Sequence, residues 1–173
     1  MLIDIDKLPH DGLKISRDFD FPSSELIEEG VVFLRPARAD VSVAKIVEDE
    51  VRIKGRITTC LSFVCGRCLT PFEFPVDARF DLVFLPEEHH EVHDELEPED
   101  LDQLFYTDRR IDLREVVLEQ LNLTFPAKPL CSESCEGICA VCGRIRRHGE
   151  CGCEVKEAVG RLDQLKIFLK DKR

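Results

Sequence analysis

Six of the nine cysteines in this chain lie between residues 131 and 153. Within that stretch Cys139 and Cys142 are separated by two residues, a spacing that lets the backbone fold into a knuckle and aim both sulfurs at one point. Cys151 and Cys153 follow, and two cysteines separated by one residue cannot readily form a disulfide with each other. Four sulfurs in this arrangement predict one closed, tetrahedral metal site.

The remaining cysteines of the stretch point to a second site. Cys131 and Cys135 are two ligands short of a closed four-ligand site. The only other closely spaced pair in the sequence is Cys65 and Cys68. We therefore predict a second metal site that joins two distant parts of the chain.

Zinc is the leading interpretation of both sites. Eight cysteines divide into four pairs, and closed four-sulfur sites are the usual structural arrangement of zinc. Iron–sulfur clusters also take four thiolates, so they stay an alternative. A third interpretation treats Cys65 and Cys68 as a redox dithiol. A thioredoxin-like motif follows a strand and opens a helix, whereas here both flanks alternate like strands and Pro71 closes the loop.

Other candidate ligands are weaker. Cys60 is the odd cysteine, and in a strand-like run we expect it to be a small core residue. His148 could replace a cysteine, although four sulfurs suffice without it. Three histidines among carboxylates, at positions 89, 90 and 93, could bind a metal, but mixed ligands on a highly charged segment are more often solvated.

Length, composition and the first residues of the chain predict the size of the core and the cellular compartment. The chain has 173 residues, of which 43% are hydrophobic, enough for a substantial core. Residues 1–7 lack the basic and apolar regions of a signal peptide, and no apolar run reaches the length of a membrane span, about 18 residues. We predict a cytoplasmic protein without a membrane partner, in a reducing compartment where cysteines favour metal over disulfides.

Charge is unevenly distributed along the chain. The net charge of −11 argues against nonspecific nucleic-acid binding. Residues 87–102 contain nine acids and no lysine or arginine, whereas residues 137–173 contain nine basic residues and five acids. Any nucleic-acid contact is therefore expected at the C-terminal end. Arg144, Arg146 and Arg147 lie there beside the predicted sulfurs and could offset thiolate charge or reach phosphate. Arg67, between Cys65 and Cys68, could likewise offset thiolate charge.

Hydrophobic periodicity predicts an α+β fold. Apolar residues alternate with polar ones from about residue 37, which predicts an antiparallel β meander with a cysteine knuckle at one hairpin. Asp112 can cap a helix that has Glu115 at its third position. No linker separates the parts, so we predict one domain over residues 1–173, without an assignment for residues 1–36. Its parts are a β-rich part about 37–85, an acidic loop about 86–104, a helix about 112–125, a cysteine-rich zinc-binding segment 131–153 and a C-terminal helix about 155–170.

Enzymatic signatures are missing from the sequence. It has no glycine-rich phosphate loop, no GxSxG elbow and no HExxH helix. A closed metal site also leaves no coordination position for a substrate. We therefore predict a binding or assembly factor and not an enzyme.

Several of these motifs together resemble one protein family. The segments are Cys65-Gly66-Arg67-Cys68-Leu69, Pro129-Leu130-Cys131, Cys135-Glu136-Gly137-Ile138-Cys139, Cys142-Gly143 and Cys151-Gly152-Cys153. This set is similar to the YceD family, the large ribosomal RNA subunit accumulation proteins, over most of the chain from about Val51. The resemblance implies a non-enzymatic factor for accumulation or processing of 23S ribosomal RNA and for large-subunit assembly. Its implied partner is a ribosomal protein or the pre-ribosomal large subunit.

Overall fold

The computed structural model describes residues 1–28, 30–47, 49–87, 103–146, 149 and 151–153. In this part of the chain there are eight strands and one α-helix, together with 3-10 turns at Ile5–Lys7 and Ser23–Glu25. The strands are β1 (Leu2–Asp4), β2 (Leu13–Phe19), β3 (Val32–Phe33), β4 (Ala37–Lys45), β5 (Val51–Val64), β6 (Pro71–Pro86), β7 (Gln103–Tyr106) and β8 (Arg110–Asp112), and the helix is α1 (Leu113–Asn122).

A long hairpin forms the centre of the main sheet. Strands β5 and β6 pair antiparallel without a break from Val51 opposite Phe84 to Val64 opposite Pro71. On the other edge of β5, β4 covers its first part and β3 covers its last part. The order is β2-β4-β5-β6-β7, with β3 beside β5.

The expected meander describes only the middle of this sheet. Strands β4, β5 and β6 are consecutive and antiparallel, as predicted, but β7 runs parallel to β6 and β3 pairs with β5. The sheet is therefore mixed. The broad α+β class is confirmed, whereas a simple meander is wrong for the sheet as a whole. A parallel edge strand needs a crossover connection, which strand periodicity alone does not reveal.

The core lies on one face of the sheet, as the alternation predicted. Buried side chains recur at every second position, including Val41 and Val43 on β4 and Ile53 and Ile57 on β5. Helix α1 adds a second buried set: Leu113, Val116, Val117 and Leu121.

The predicted cap of α1 is present. Asp112 accepts a hydrogen bond from the backbone N–H of Arg114 at 2.9 Å, which satisfies one free donor of the first turn. The helix ends at Asn122 and turns over the next three residues, earlier than the expected limit near Phe125.

Residues 1–36, which had no assignment, contribute to the core. Strand β1 pairs with β8, directly before α1, and buries Ile3. Phe21 is buried under the guanidinium of Arg114, whose carbon lies 4.7 Å from the ring centroid. Strands β1 and β3 have three and two residues, too few for a periodic signal, and in the seven residues of β2 the charged Arg17 interrupts the apolar alternation.

Several predicted features lie outside the described residues. They are most of the acidic loop with its three histidines, the C-terminal helix about 155–170, Arg147 and His148. Among the described residues, no helix has the length and apolar character that crossing a membrane requires.

Candidate metal centres

The turn between β5 and β6 is a cysteine knuckle. The backbone N–H of Cys65 donates to the carbonyl of Thr70 at 3.0 Å, and the N–H of Leu69 donates back to the carbonyl of Cys65 at 2.9 Å. This path requires a left-handed backbone at Leu69, where φ is 57°. The two sulfurs it presents are buried, since Cys65 is 0% and Cys68 is 2% exposed.

A second knuckle repeats the same backbone pattern. The N–H of Cys139 donates to the carbonyl of Arg144 at 2.8 Å, and the N–H of Gly143 donates to the carbonyl of Cys139 at 2.9 Å. Gly143, directly after Cys142, has a φ of 72°. The position that holds Leu69 in the first knuckle thus holds glycine in the second.

The first group of four cysteines forms where the chain after α1 meets the hairpin. The ring of Phe125 contacts Phe63, near the end of β5, edge to face at 5.2 Å between centroids. The N–H of Gly66 then donates to the carbonyl of Pro129 at 2.8 Å. Arg67 donates from Nη1 to two further carbonyls, those of Glu133 at 3.1 Å and Cys135 at 2.9 Å.

These contacts bring four sulfurs from distant parts of the sequence together. The Sγ atoms of Cys65 and Cys135 lie 3.8 Å apart, and those of Cys68 and Cys131 lie 3.7 Å apart. All four lie within 4.8 Å of one another.

The second group contains Cys139, Cys142, Cys151 and Cys153, whose sulfurs also lie within 4.8 Å of one another. It is more open than the first group, because Cys142 is exposed and only Cys139 is buried. A hydrogen bond of 3.0 Å from the N–H of Arg146 to the carbonyl of Gly137 joins it to the first.

The spacing of the sulfurs suits a single tetrahedral ion. With metal–sulfur bonds of about 2.3 Å, the corners of a tetrahedron lie about 3.8 Å apart. A disulfide would instead bring two sulfurs to about 2.05 Å. Each group could therefore hold one metal ion, and the eight cysteines divide between the groups as the sequence predicted.

Backbone N–H groups favour the thiolate at the first cysteine of each knuckle. For Cys139, hydrogen bonds from the N–H groups of Cys142 and Val141 lower the pKa to about 6. For Cys65, burial opposes ionisation, but backbone hydrogen bonds, led by that from Cys131, bring its pKa to about 6.

One partner in each group resists ionisation. Burial and the neighbouring sulfurs raise the pKa of Cys131 to about 12, and hydrogen bonds with Cys142 and Cys151 raise the pKa of Cys153 to about 12. Four thiols at this spacing cannot all ionise beside one another without a cation. A divalent ion would remove that barrier and take up the four thiolates.

The other residues considered in the sequence lie outside the two four-cysteine groups. Cys60 belongs to neither group, but the expectation of a core cysteine is wrong. It is half-buried on the face of β5 opposite to its buried neighbour Leu61. Arg144 and Arg146 are exposed beside the second group. Arg67 uses its guanidinium on backbone carbonyls, which sequence reasoning missed because its partners are about seventy residues away.

In its described residues, then, the protein is a mixed β-sheet protein whose two four-cysteine groups could each hold a metal ion. The chain belongs to the YceD family, because the family model described as "Large ribosomal RNA subunit accumulation protein YceD" matches residues 53–169. This confirms the resemblance. The description is that of an accumulation factor and not of an enzyme, and it links the family to the large ribosomal subunit.

A curated relative is the "Uncharacterized protein ML1660" of Mycobacterium leprae, 28% identical over 109 residues. The match covers 62% of this chain and 48% of the relative, so the chain spans about half the length of that protein. No solved structure matches the chain.

The two knuckles predict opposite effects of glycine exchange. Nothing lies within 4 Å of a Cβ added at Gly143, so Gly143→Ala should cost only the strain of a left-handed residue, about 1–2 kcal/mol. Leu69→Gly should relieve such strain and stabilise the first knuckle. Urea unfolding of the metal-loaded protein and chelator titration measure both changes.

Gly30→Ala is the matched control, because Gly30 has a φ of 82° and equally free surroundings away from the cysteines. It should lower the free energy of unfolding but leave chelator resistance unchanged. Equal chelator resistance in Gly143→Ala and Gly30→Ala would contradict a role of the left-handed residue in the metal centre.

Proposed function

We propose that this protein is a non-enzymatic factor for the accumulation or processing of 23S ribosomal RNA and for large-subunit assembly. The observation that carries the proposal is the family match over residues 53–169, a span that contains all eight grouped cysteines. The cysteine groups and the family description therefore concern the same part of the chain.

We further propose that each group binds one structural zinc ion. Four thiolates complete the tetrahedral shell of zinc and leave no position for substrate, which suits a structural role. The ligands are Cys65, Cys68, Cys131 and Cys135 in one site and Cys139, Cys142, Cys151 and Cys153 in the other. The first ion would fasten the segment after α1 to the β5–β6 hairpin.

The alternatives, an iron–sulfur or a thiol redox protein, have less support. A cluster places several atoms between its thiolates and needs a wider cage than sulfurs 3.7 Å and 3.8 Å apart. A redox dithiol needs an accessible sulfur, yet Cys65 is 0% exposed in a turn between two strands. The low pKa of Cys65 is equally the property of a metal ligand.

The partner we propose is the pre-ribosomal large subunit or one of its ribosomal proteins. An acidic chain of net charge −11 repels free RNA overall, so a particle that also offers protein surface is the better match. Exposed Arg144 and Arg146, with Arg147 next in sequence, add a place where RNA could contact the second metal site.

Metal analysis tests the zinc proposal. Purified protein should contain two zinc ions per chain, and Cys68→Ser should lose one. A structural zinc contributes on the order of 10 kcal/mol of folding free energy in small domains, so Cys68→Ser should also unfold at much lower urea concentration. Cys60→Ser is the control, since Cys60 belongs to neither group. Metal-free protein of unchanged stability, or iron in place of zinc, would refute the proposal.

Depletion tests the ribosomal role. Cells that lose the protein should accumulate precursor 23S ribosomal RNA and show fewer large subunits, while small subunits persist. Cys60→Ser should restore large subunits, and Cys68→Ser should not. Unchanged levels of large subunits and of precursor RNA after depletion would show that the proposed function is wrong.

A further inference from the structure

Strand β6 has a long edge to which no strand of the described residues is paired. On one side β5 pairs with β6 from Pro71 to Phe84, whereas on the other side β7 covers only Val83 to Pro86. The stretch from Phe72 to Leu82 therefore lacks a neighbouring strand on that side within the described part of the chain. An unpaired edge of this length is a template for pairing with another strand.

The odd-numbered residues of β6 direct their backbone groups to this free edge. In the turn before β6 the N–H of Cys65 donates to the carbonyl of Thr70, so these two residues form a hydrogen-bonded pair. Hydrogen-bonded and non-hydrogen-bonded pairs alternate along antiparallel strands, so the even-numbered residues of β6 bond to β5. Glu73, Asp77 and Arg79 consequently present both an N–H and a carbonyl to the free edge.

Apolar side chains along the same edge are incompletely covered. The even-numbered residues of β6 face the core, and four of them are only partly buried: Phe72, Phe74, Ala78 and Leu82. Core positions of the interior strand β5, such as Ile53 and Ile57, are 0% exposed. A further strand beside β6 would cover this apolar margin as well as satisfy the backbone groups.

The opposite edge of the main sheet, formed by β2, differs in this respect. Arg17 lies on the core face of β2, opposite the buried Ala39, and its side chain is exposed. A charge on that face disfavours an added strand, because apolar side chains would be buried beside it. Between Phe72 and Leu82, β6 carries no charged side chain on its core face.

We propose that the free edge of β6 pairs antiparallel with the same edge of a second copy of this chain, so that two main sheets join into one. In an interface with two-fold symmetry the same surface occurs on both sides and must complement itself. The register of the two β6 strands decides whether it does.

Strand β7 limits that register. It lies beside β6 from Val83 onward, so β6 of the second copy, which begins at Pro71, can extend only to the level of Leu82. Among the two-fold registers that pair edge-facing residues with each other, the longest within this limit places Val76 opposite Val76 of the second copy. Pro75 has no N–H and removes one donor from each copy, which suits a reversible dimer.

This register also matches the side chains on both faces. Glu73 lies opposite Arg79 of the second copy, and the symmetry repeats this pair of opposite charges. A shift of the centre by one residue either way instead places Asp77 opposite Asp77 or opposite Glu73, which brings like charges together. On the core face, Phe74 lies opposite Ala78 of the second copy, so partly buried apolar side chains cover each other.

Exchange of the charges in the proposed pair tests the dimer and its register. Glu73→Arg and Arg79→Glu each place like charges opposite each other at two symmetric positions, so each should raise the dissociation constant of the dimer about tenfold. The double variant Glu73→Arg with Arg79→Glu restores opposite charges and should return the dissociation constant to that of the parent. Sedimentation velocity of the purified chain over a series of concentrations measures these constants.

Lys14→Glu is the matched control, because it makes the same charge change as Arg79→Glu at an exposed residue of β2, on the other edge of the sheet. It should leave the dissociation constant unchanged. Hydrogen exchange locates the contact: the amides of Asp77 and Arg79 should exchange more slowly as the protein concentration rises, and the amide of Lys14 should not.

A chain that stays monomeric at every concentration would overturn the proposal. So would a dimer that the double variant does not restore, or one that Lys14→Glu weakens as much as Arg79→Glu does. Protection of the Asp77 and Arg79 amides that does not depend on concentration would show that the edge is covered within one copy, and would also overturn it. None of these results depends on the ribosomal role, because all are measured on the purified chain.

Discussion

The convergence of Cys65 and Cys68 with Cys131 and Cys135 is the contact on which the C-terminal part of the described structure depends. After α1 the chain forms no further helix or strand up to Arg146, and an isolated bridge between Ile138 and Ile145 is its only sheet-like pairing there. Few buried apolar side chains lie in this stretch, so its position comes from the knuckle, from Gly66 and from Arg67. Without a cation, the four packed sulfurs cannot all become thiolates, because each charge disfavours the ionisation of its neighbours.

The two cysteine knuckles have the same pattern of backbone hydrogen bonds in two different structural settings. The first closes a sheet hairpin, so the register of β5 and β6 fixes its position and can tolerate a strained Leu69. The second has no strands to fix it, and Gly143 adopts the same backbone angle without strain. The two knuckles also differ in exposure, since both cysteines of the first are buried and Cys142 of the second is exposed. We expect the second centre to exchange its metal more readily.

Local patterns in the sequence predict the central strands, α1 and the division of the cysteines well. Alternation over 37–85 reflects a sheet with one buried face, and Asp112 marks a helix start through its own chemistry. The rest depends on pairing between distant segments. Register and packing decide that β7 runs parallel to β6 and that residues 1–36 join the sheets and the core. They also decide that Cys60 lies on the face of β5 opposite the buried residues.

We propose that one zinc ion with four sulfur ligands closes each cysteine group. X-ray absorption at the metal edge of the purified protein tests this proposal, because it reports ligand type and bond length together. The spectrum should show zinc with a single shell of four sulfurs at about 2.3 Å and no metal–metal scattering. A shell containing nitrogen or oxygen, or scattering from a second metal atom at cluster distance, would contradict the claim.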